Sequence, residues 1–595
     1  MRFNVNWQRF VFLMSILSGA LLLCSPGKGL MAQSEAAGTR AATPLATAYQ
    51  LTVTLAGTSS GTVTSSPGGI SCPPTCTASF SAGTTATLTA KAGTGAFFQS
   101  WSGACTGRST CKLTMNVAKS VTATFNVNQT VNVLNHIIFM AQENRSLDNY
   151  FGELRAYWKA NGFADRSFDG LPQFNPTSGL APLYGPPPTN PGCDPAYPPP
   201  NDCIEDSASP QVASYHLITQ CTENTSPSWN EAHQDWDLNN PYSATATLDG
   251  YLWTAAHDAR NMSPQFFDTN GIRAMGYYDD TDLNYYYYMA SQFGTSDRFF
   301  SPVMTRTQPN RSYLIAGTSQ GYAYPIGTDS GDQKLLTAKT IFQELQSTGV
   351  TWKIYVNTDN TACANNPTAS CLITLSYAYN FTWGQAIPTN YPNNIATMTQ
   401  FFTDVQNGTL PQVAQIEPAS AAGLDEHGSD SDQYPVNIQL GAQYVSSIIN
   451  ALMTSVSWKD SAFILTYDES GALYDHVAPQ PAASPDGIKP VDLISGDICT
   501  TNTGPTCDFV YTGYRVPLIV VSPYAIKHYV SHKVMDYTAI LKLIETRFKL
   551  ASLTKRDAAQ KNMTEFFNFN SPPWMTPPTP PAQSTSGPCY LNQLP

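Results

Sequence analysis

The chain has 595 residues, of which 12% are charged, about half the roughly 25% usual in soluble globular proteins, while 42% are hydrophobic. Its 31 basic and 43 acidic residues give a formal net charge of −12. A disordered chain combines low hydrophobicity with high net charge, and a nucleic-acid-binding chain is usually basic, so the composition argues against both classes. The length predicts roughly two to four domains.

The first residues have the pattern of a secretory signal peptide. Arg2 and Arg9 precede an uncharged apolar run at 10–24, which small residues follow. The run is shorter than the roughly 20 residues of a transmembrane helix. A lipoprotein signal is the less favoured alternative, because Leu23 stands where a small residue normally precedes the lipidated cysteine. We predict a cleaved signal peptide over residues 1–32 and a secreted or periplasmic mature protein.

Twelve of the 13 cysteines remain when Cys24 leaves with the signal, an even number that suits an oxidising compartment. Zinc ligation by the first four is an alternative, although their spacings are not the two-residue spacing of a zinc ribbon. Local disulfides are the favoured interpretation. The neighbouring pairs are Cys72 and Cys76, Cys105 and Cys111, Cys193 and Cys203, Cys363 and Cys371, and Cys499 and Cys507, which leaves Cys221 and Cys589 to tie the tail to the main body.

An Ala/Thr/Ser-rich linker at 33–49 leads into residues 50–127, where Thr alternates with Val or Leu at the period of two that is typical of strands. This segment contains no His, Asp or Glu, so it supplies no carboxylate or imidazole chemistry. Its sequences at 61–72, 98–105 and 118–125 resemble the internalin-B-type repeat module of bacterial extracellular proteins. The resemblance implies a small all-β accessory module without activity, serving either as a spacer or for attachment to a surface or glycan.

From Val133 onward, continuous apolar strands alternate with helical patterns. This alternation is typical of an α/β domain with a mostly parallel sheet flanked by helices. We predict such a domain over residues 128–570, followed by a Pro-rich tail over 571–595. The predicted strands include 133–140, 413–416, 462–466 and 516–521, and the predicted helices include 438–453 and 535–548.

Acidic and amide side chains follow several of these strands. Glu143 and Asn144 come after the first strand, Asp468 and Glu469 after a later one, and Glu417 after 413–416. Ligands in open α/β sheets bind beyond the carboxyl ends of the strands. Three carboxylates and an amide oxygen suit a divalent cation, although each Asp-Glu pair alone is more often a cap or turn.

Five motifs stand in order along this domain. Together they resemble the bacterial phosphoesterase family that includes secreted phospholipases C specific for phosphatidylcholine and related acid phosphatases. The resemblance covers about residues 133–570 and implies an alkaline-phosphatase-like core. The motifs are HIIFMAQENRSLDNYFG at 136–152, MGYY at 275–278, TQPNR at 307–311 with AGT at 316–318, ILTYDESGALYDHV at 464–477, and YRVPLIVVSPY at 514–524.

The resemblance implies a metal site. Glu143, Asn144, Asp468 and Glu469 look like ligands of a divalent metal ion whose identity is open. Thr307 falls at the family's Ser or Thr nucleophile and would also touch the metal. An alcohol becomes nucleophilic when a bound cation stabilises its alkoxide. From the residues alone, an N-cap role for Thr307 is an equal alternative.

Three further residues complete the implied catalytic set. His427 resembles a family histidine near the leaving group, His233 resembles another active-site histidine, and Arg311 closes the TQPNR motif. A lone histidine is otherwise a packed or surface residue. The chain also departs from the family pattern, because Pro227 replaces a histidine before Ser-Trp, Asn149 replaces a histidine, and Ser470 replaces a glycine. The change at Pro227 affects which substrate the resemblance implies.

The sequence therefore predicts a secreted metal-dependent phosphoester hydrolase, a phospholipase C that cleaves phospholipid head groups through a threonine nucleophile. The alternatives are an acid phosphatase acting on phosphomonoesters and a catalytically inactive cell-surface binding protein. The predicted partners are a phosphoester substrate and a membrane surface, with no nucleic acid, and the oligomeric state is open. Tyr285–Tyr288 could form a cation–π cage for a quaternary ammonium group, but a buried helix with polar tips is favoured.

Overall fold

A computed structural model describes residues 47–175, 185–326, 334–429 and 435–594. These residues form two compact units that divide between Asn126 and Val127. The predicted signal peptide at 1–32 and most of the predicted linker at 33–49 lie outside the described residues, and the end of the linker belongs to the first strand. Within the described ranges, no helix combines the length and apolar composition needed to span a bilayer.

The N-terminal unit is all β, as predicted. Alternate residues such as Leu51 and Val53 point into a core that also buries Trp101 and Phe125. The strands form two four-stranded sheets, in the orders β4-β1-β8-β6 and β3-β2-β5-β7. They are β1 (Ala48–Ala56), β2 (Gly61–Ser66), β3 (Ser71–Cys72), β4 (Thr77–Ser81), β5 (Thr85–Ala92), β6 (Ala96–Gly103), β7 (Cys111–Thr114) and β8 (Lys119–Val127).

The second unit is an α/β domain around an eight-stranded sheet in the order β17-β16-β18-β9-β19-β20-β14-β21. The first five strands of this order run parallel, whereas β20 is antiparallel to both neighbours, so the sheet is mostly parallel, as predicted. The strands are β9 (His136–Gln142), β10 (Thr189–Pro191), β11 (Gln211–Ala213), β12 (Tyr215–His216), β13 (Gly276–Tyr277), β14 (Gly294–Ser296), β15 (Phe299–Phe300), β16 (Trp352–Val356), β17 (Ile395–Thr397), β18 (Val413–Ile416), β19 (Ser461–Tyr467), β20 (Ile519–Val521), β21 (Tyr529–Ser531) and β22 (Met535–Asp536).

Fourteen α-helices of this unit lie within the described ranges, with short 3₁₀ turns between them. The longest, α12, begins where the Asn437 side chain accepts hydrogen bonds from the amides of Gln439 and Leu440. The helices are α1 (Leu147–Phe151), α2 (Leu154–Ala160), α3 (Trp229–Trp236), α4 (Tyr251–Asn261), α5 (Asn284–Gln292), α6 (Thr307–Ala316), α7 (Ile341–Thr348), α8 (Ala369–Leu372), α9 (Thr382–Gln385), α10 (Ile387–Asn390), α11 (Met398–Asn407), α12 (Ile438–Met453), α13 (Thr538–Phe548) and α14 (Lys555–Ala559).

Six disulfides join the cysteines in the predicted pairs, so the zinc alternative is wrong. Disulfides of this number fit an extracytoplasmic location. The long-range bond between Cys221 and Cys589 ties the Pro-rich tail to the second unit. Arg273 adds to this attachment by donating to the carbonyls of Leu591 and Gln593 at 2.7 and 2.8 Å.

The tyrosine run lies on α5 and forms no aromatic cage. Tyr285, Tyr286 and Tyr287 are buried, and each hydroxyl donates to a group inside the protein. Tyr286 donates to Glu426, for example, at 2.6 Å. The buried helix with polar tips is therefore the correct interpretation.

Candidate active site

A pocket of about 840 Å³ lies at the carboxyl ends of β9 and β19. The first turn of α6 and the segment that follows β18 complete its wall. Because parallel strands end at the same edge of a sheet, residues far apart in sequence meet here. The described lining comprises Glu143, Asn144, Asn224, Thr225, Ser226, Pro227, Asp258, Met262, Arg306, Thr307, Gln308, Pro325, Tyr377, Ser420, Asp425, His427, Gly428, Val436 and Glu469.

Arg311 connects the two carboxylates at the base of the site. It donates to Glu143 Oε1 at 2.8 Å, and its Nε lies 3.4 Å from Asp468 Oδ2. The same guanidinium donates to the carbonyls of Ala141 and Gln142. Arg311 is 1% exposed and does not line the pocket, so it orients the ends of β9 and β19 from behind.

Asn144 occupies a left-handed backbone conformation, with φ at 57°. Its amide donates to Asp468 Oδ1 at 2.9 Å, and its side-chain Nδ2 donates to Asn224 Oδ1 at 3.3 Å. Gly471 packs so closely that a Cβ atom there would lie 2.7 Å from the Asn144 Cβ. These contacts fix the side-chain amide of Asn144 with its Nδ2 hydrogen-bonded. Its Oδ1 is therefore the atom that can coordinate a metal ion.

Three oxygens of the predicted ligand set are buried and have no hydrogen-bond partner in the described chain. They are Asn144 Oδ1, Asp468 Oδ2 and Glu469 Oε1. The second polar atom of each of these side chains does form a hydrogen bond. For example, the Gly471 amide donates to Glu469 Oε2 at 2.6 Å. A buried polar atom without a partner is costly, and oxygen donors suit hard divalent cations. The residues therefore fit a divalent metal ion.

The site brings together more buried carboxylates than positively charged groups, which affects the pKa values of the carboxyls. Burial raises the pKa of Glu143 to about 7; Arg311 opposes this rise and Asp468 adds to it. Burial and Asp468 together raise the pKa of Glu469 well above its ordinary value. A cation bound here would counter both effects, because a positive charge favours the ionised form of each carboxyl.

Thr307 is the first helical residue of α6, and Arg306 is the N-cap. The alternative that Thr307 serves as the N-cap is therefore wrong. Its hydroxyl points instead to Glu143 Oε2, with a donor–acceptor distance of 3.4 Å. Thr307 thus lines the pocket beside the predicted metal ligands, at the end of a helix where free amides favour anions.

The two predicted histidines have different environments. His427 lines the pocket, and its Nδ1 lies 2.9 Å from the Gly428 carbonyl oxygen. His233 is fully buried on α3 against Trp229, and its two ring nitrogens lie 2.6 and 3.3 Å from the carbonyl oxygens of Trp229 and Thr506. Burial lowers the pKa of His233 to about 4. His233 is not among the described residues that line the pocket, and its burial favours a packing role over the predicted catalytic one.

The pocket also contains residues that the sequence analysis did not select. Tyr377 donates to Glu143 Oε1 at 3.1 Å, and its ring lies 4.5 Å from the Arg311 guanidinium carbon. Arg306 and Asp258 add one charge of each sign to the wall. Arg306 could have been selected from the sequence because it directly precedes Thr307. Tyr377 could not, because it lies in a segment of short helices without a distinctive motif.

Comparison with known proteins decides the family. Residues 134–551 match the model of the Phosphoesterase family, and residues 51–129 match that of the divergent InlB B-repeat domain. The chain belongs to the phosphoesterase family. Both resemblances noted in the sequence are thereby confirmed, and the chain is a hydrolase acting on phosphoric ester bonds.

The relatives of this phosphoesterase include bacterial phospholipases C. It is 28% identical to Phospholipase C B of Mycobacterium tuberculosis, over 74% of this chain and 78% of the relative. It is 27% identical to the non-hemolytic phospholipase C of Burkholderia pseudomallei, over 77% and 62% of the respective chains. A solved alkaline phosphatase superfamily protein from Vibrio parahaemolyticus is 10% identical, with a TM-score of 0.27 over 46% of this chain and 62% of that chain.

The phosphoesterase has a second buried arginine cluster, around Arg515. Arg515 pairs with Asp475 at 2.8 Å and with Asp148 at 2.9 Å. His476 bridges Asp148 and Asp169 through its two ring nitrogens, at 2.6 and 3.0 Å. Asp148, Asp475 and His476 are close enough to hold a metal ion, but Arg515 already supplies a cation to this group.

A third group combines the half-buried His216 and Asp279 with the buried Asp282. His216 Nε2 lies 2.7 Å from Asp282 Oδ2 and 3.5 Å from Asp279 Oδ2. The hydrogen bond with Asp282 raises the pKa of His216, although burial opposes it. These contacts form a histidine–carboxylate ion pair, in which Asp279 directly follows the MGYY motif that contains strand β13.

Proposed function

We propose that this phosphoesterase is a secreted, metal-dependent phospholipase C that uses Thr307 as its nucleophile. The observation that carries the proposal is that buried oxygens of Asn144, Asp468 and Glu469 have no hydrogen-bond partner in the described chain, while Asn144 and Glu469 line the same pocket as Thr307. The phospholipase C names of the relatives support phospholipids as the substrate class. The predicted signal peptide and the six disulfides support secretion.

The chemistry is a displacement at phosphorus. Thr307 Oγ1 attacks the phosphorus, and Glu143 Oε2, to which the hydroxyl donates at 3.4 Å, receives its proton. A divalent cation held by Glu143, Asn144, Asp468 and Glu469 would stabilise the alkoxide and the charge on the phosphoryl oxygens.

His427 is the group proposed to protonate the leaving alcohol. Its Nδ1 interacts with the Gly428 carbonyl, so Nε2 is the nitrogen available to the substrate. Water then hydrolyses the phosphothreonine and restores the free Thr307 hydroxyl. Arg311 holds Glu143 and Asp468 in position throughout, without contacting the substrate.

Hydrolysis of phosphomonoesters is the competing function. Arg306 lines the pocket next to Thr307, and a guanidinium there could pair with the second negative charge of a monoester. This observation favours a phosphatase over a phosphodiesterase and makes the substrate comparison the decisive test.

The test is a parallel assay of the metal-loaded full chain on phosphatidylcholine, sphingomyelin and a chromogenic phosphomonoester. The proposal expects faster turnover of at least one phospholipid than of the monoester, with release of the phosphorylated head group. The His427→Asn variant should lose more rate on the phospholipid than on a substrate whose leaving group needs no proton. Turnover of the monoester alone would replace the phospholipase proposal with the phosphatase alternative.

A further inference from the structure

A loop at residues 486–497, here called the apolar loop, exposes aliphatic side chains. Ile488, Val491 and Ile494 are 37%, 58% and 53% exposed. Single exposed apolar residues are normal on a protein surface, but clusters of them mark binding surfaces. Three of the sixteen exposed large apolar side chains in the described ranges fall within these seven consecutive positions, so the loop is a cluster.

Two acidic side chains of the apolar loop face inward. Asp492 accepts hydrogen bonds from the amides of Ala323 and Tyr324 at 2.8 and 2.9 Å. Asp497 accepts from Asn230 Nδ2 at 2.9 Å and from the Ile494 amide at 2.8 Å. Asp492 and Asp497 thus anchor the apolar loop to the rest of the unit. Ile488 and Val491 lie side by side over Gly321, where a Cβ would be 2.7 Å from Ile488 Cγ2 and 3.0 Å from Val491 Cγ1, and each keeps part of its surface exposed.

Backbone packing further fixes the apolar loop. Gly321 has φ at +86°, and a Cβ there would lie 2.7 Å from the Lys489 carbonyl oxygen. The Val491 amide donates to the Gly321 carbonyl at 2.9 Å. Only glycine permits this approach without a shift of the backbone, so the loop packs on Gly321 in a defined position.

The anchors of the apolar loop are continuous with the wall of the pocket. Ala323 and Tyr324 directly precede Pro325, which lines the pocket. Asn230 lies in the first turn of α3, just after the wall residues Asn224–Pro227. The loop therefore bridges two segments that form the wall around the predicted metal site.

We propose that the apolar loop inserts into a lipid bilayer surface and brings the pocket to its substrate. The proposal rests on the proposed phospholipase function, because the bilayer is where such a substrate lies. Lys489 stands between the aliphatic positions with its side chain 70% exposed, and its ammonium group lies 3.3 Å from Asp508 Oδ2, which is itself exposed. An exposed ion pair contributes little free energy, so the ammonium group can pair with a lipid phosphate instead. Shallow insertion of a few aliphatic side chains next to a basic group is how peripheral proteins bind membranes.

The experiment compares two triple variants of the full chain. The loop variant is Ile488→Ser, Val491→Ser and Ile494→Ser. The matched control changes three equally exposed aliphatic residues elsewhere in the same unit, Ile204→Ser, Val456→Ser and Val534→Ser. Binding is measured by sedimentation with vesicles of phosphatidylcholine and phosphatidylglycerol, and turnover is measured on a soluble chromogenic phosphodiester.

The loop variant should partition into vesicles at least about tenfold more weakly than the parent, while the control variant binds like the parent. Both variants should keep the parental rate on the soluble substrate, which also shows that they fold. The single variant Val491→Glu should weaken binding in the same direction. Three outcomes would each overturn the proposal. The loop variant could bind vesicles as well as the parent, the control variant could lose as much vesicle binding as the loop variant, or the parent could fail to sediment with vesicles.

Two further outcomes separate this proposal from its alternatives. If the parent forms a dimer in solution that the loop variant loses, the loop contacts a second copy of the chain and the lipid proposal fails. If the parent binds vesicles through the loop but hydrolyses only phosphomonoesters, the phospholipase function fails while the docking surface stands. Sedimentation needs no turnover, so the two failures are distinguishable.

Discussion

Arg311 and Arg515 are both buried among carboxylates, but their clusters differ in charge balance. Around Arg515, the acids Asp148, Asp169 and Asp475 face two cations, Arg515 and His476, and Arg298 adds a third through its 2.5 Å contact with Asp169. Around Arg311, the carboxylates of Glu143 and Asp468 face that one guanidinium, and Glu469 adjoins them.

This difference separates a structural ion network from a site that needs a ligand. Buried charges are stable only when they are paired and hydrogen-bonded. The Arg515 cluster meets that requirement with its own side chains, except that Asp475 Oδ2 has no hydrogen-bond partner in the described chain. The Arg311 cluster has one guanidinium for its carboxylates and three oxygens without a hydrogen bond within the described ranges, so it gains more from a bound dication.

The largest expected effect is on turnover. Thr307→Val should lower the rate on a soluble phosphodiester at least about a thousandfold, because removal of the attacking oxygen closes the covalent route. Thermal unfolding and metal content should stay near parental values, since Thr307 is not the N-cap. Ser312→Ala removes another hydroxyl from the same helix and should keep the rate. A folded, metal-loaded Thr307→Val protein with more than about a tenth of the parental rate would exclude Thr307 as nucleophile.

Matched substitutions in the two clusters test the comparison itself. Asp468→Asn should lose most of the bound metal, measured by elemental analysis after dialysis, and should lose turnover with it. Asp475→Asn should retain the metal but lower the free energy of unfolding by about 3 kcal/mol, because it leaves a buried pair incomplete. The reverse assignment, with metal lost from Asp475→Asn, would place the cation in the Arg515 cluster.

The Arg515 cluster should also make stability depend on pH. Burial opposes ionisation of His476, but Asp148 and Asp169 raise its pKa from 6.5 to about 9. A raised pKa means that the folded state holds the proton more tightly. The resulting stabilisation is complete below pH 6.5 and is lost as the pH rises through 9, by up to about 1.4 kcal/mol per pH unit. Urea unfolding of His476→Asn should show a flatter dependence than the parent between these values, and parallel curves would contradict the assignment.

The smallest expected effect concerns the N-terminal unit, which contributes neither an acidic side chain nor a histidine between residues 50 and 127. Deletion of residues 33–127 should leave turnover of a soluble substrate within about twofold of the parent, because no acid–base group or carboxylate ligand is removed. Turnover is measured with a soluble phosphodiester, and a folded truncation that loses most activity would show that this unit shapes the active site.

The sequence predicted those parts of the molecule that repeat a local pattern. Buried strands such as β19 and the amphipathic α12 have a period that can be read directly, and the acidic residues after the strands mark the site. His233 shows the limit of this approach, since its motif suggested catalysis but its burial against Trp229 favours a packing role. Tyr377 was missed because its contact with Glu143 joins residues 234 positions apart in an irregular segment.

The attachment of the tail has a consequence for the order of synthesis. Cys589 bonds to Cys221, three residues before Asn224 in the pocket wall, and the Thr222 and Asn224 backbones pair with Ser429, close to His427. Residue 589 leaves the ribosome after every residue named in the pocket. The disulfide that fastens the chain next to Asn224 therefore forms only when nearly the whole chain has been made and its cysteines have met an oxidant. Under the proposed secretion, the nascent enzyme completes its pocket wall in the oxidising compartment, so that the place of oxidation also becomes the place where activity begins.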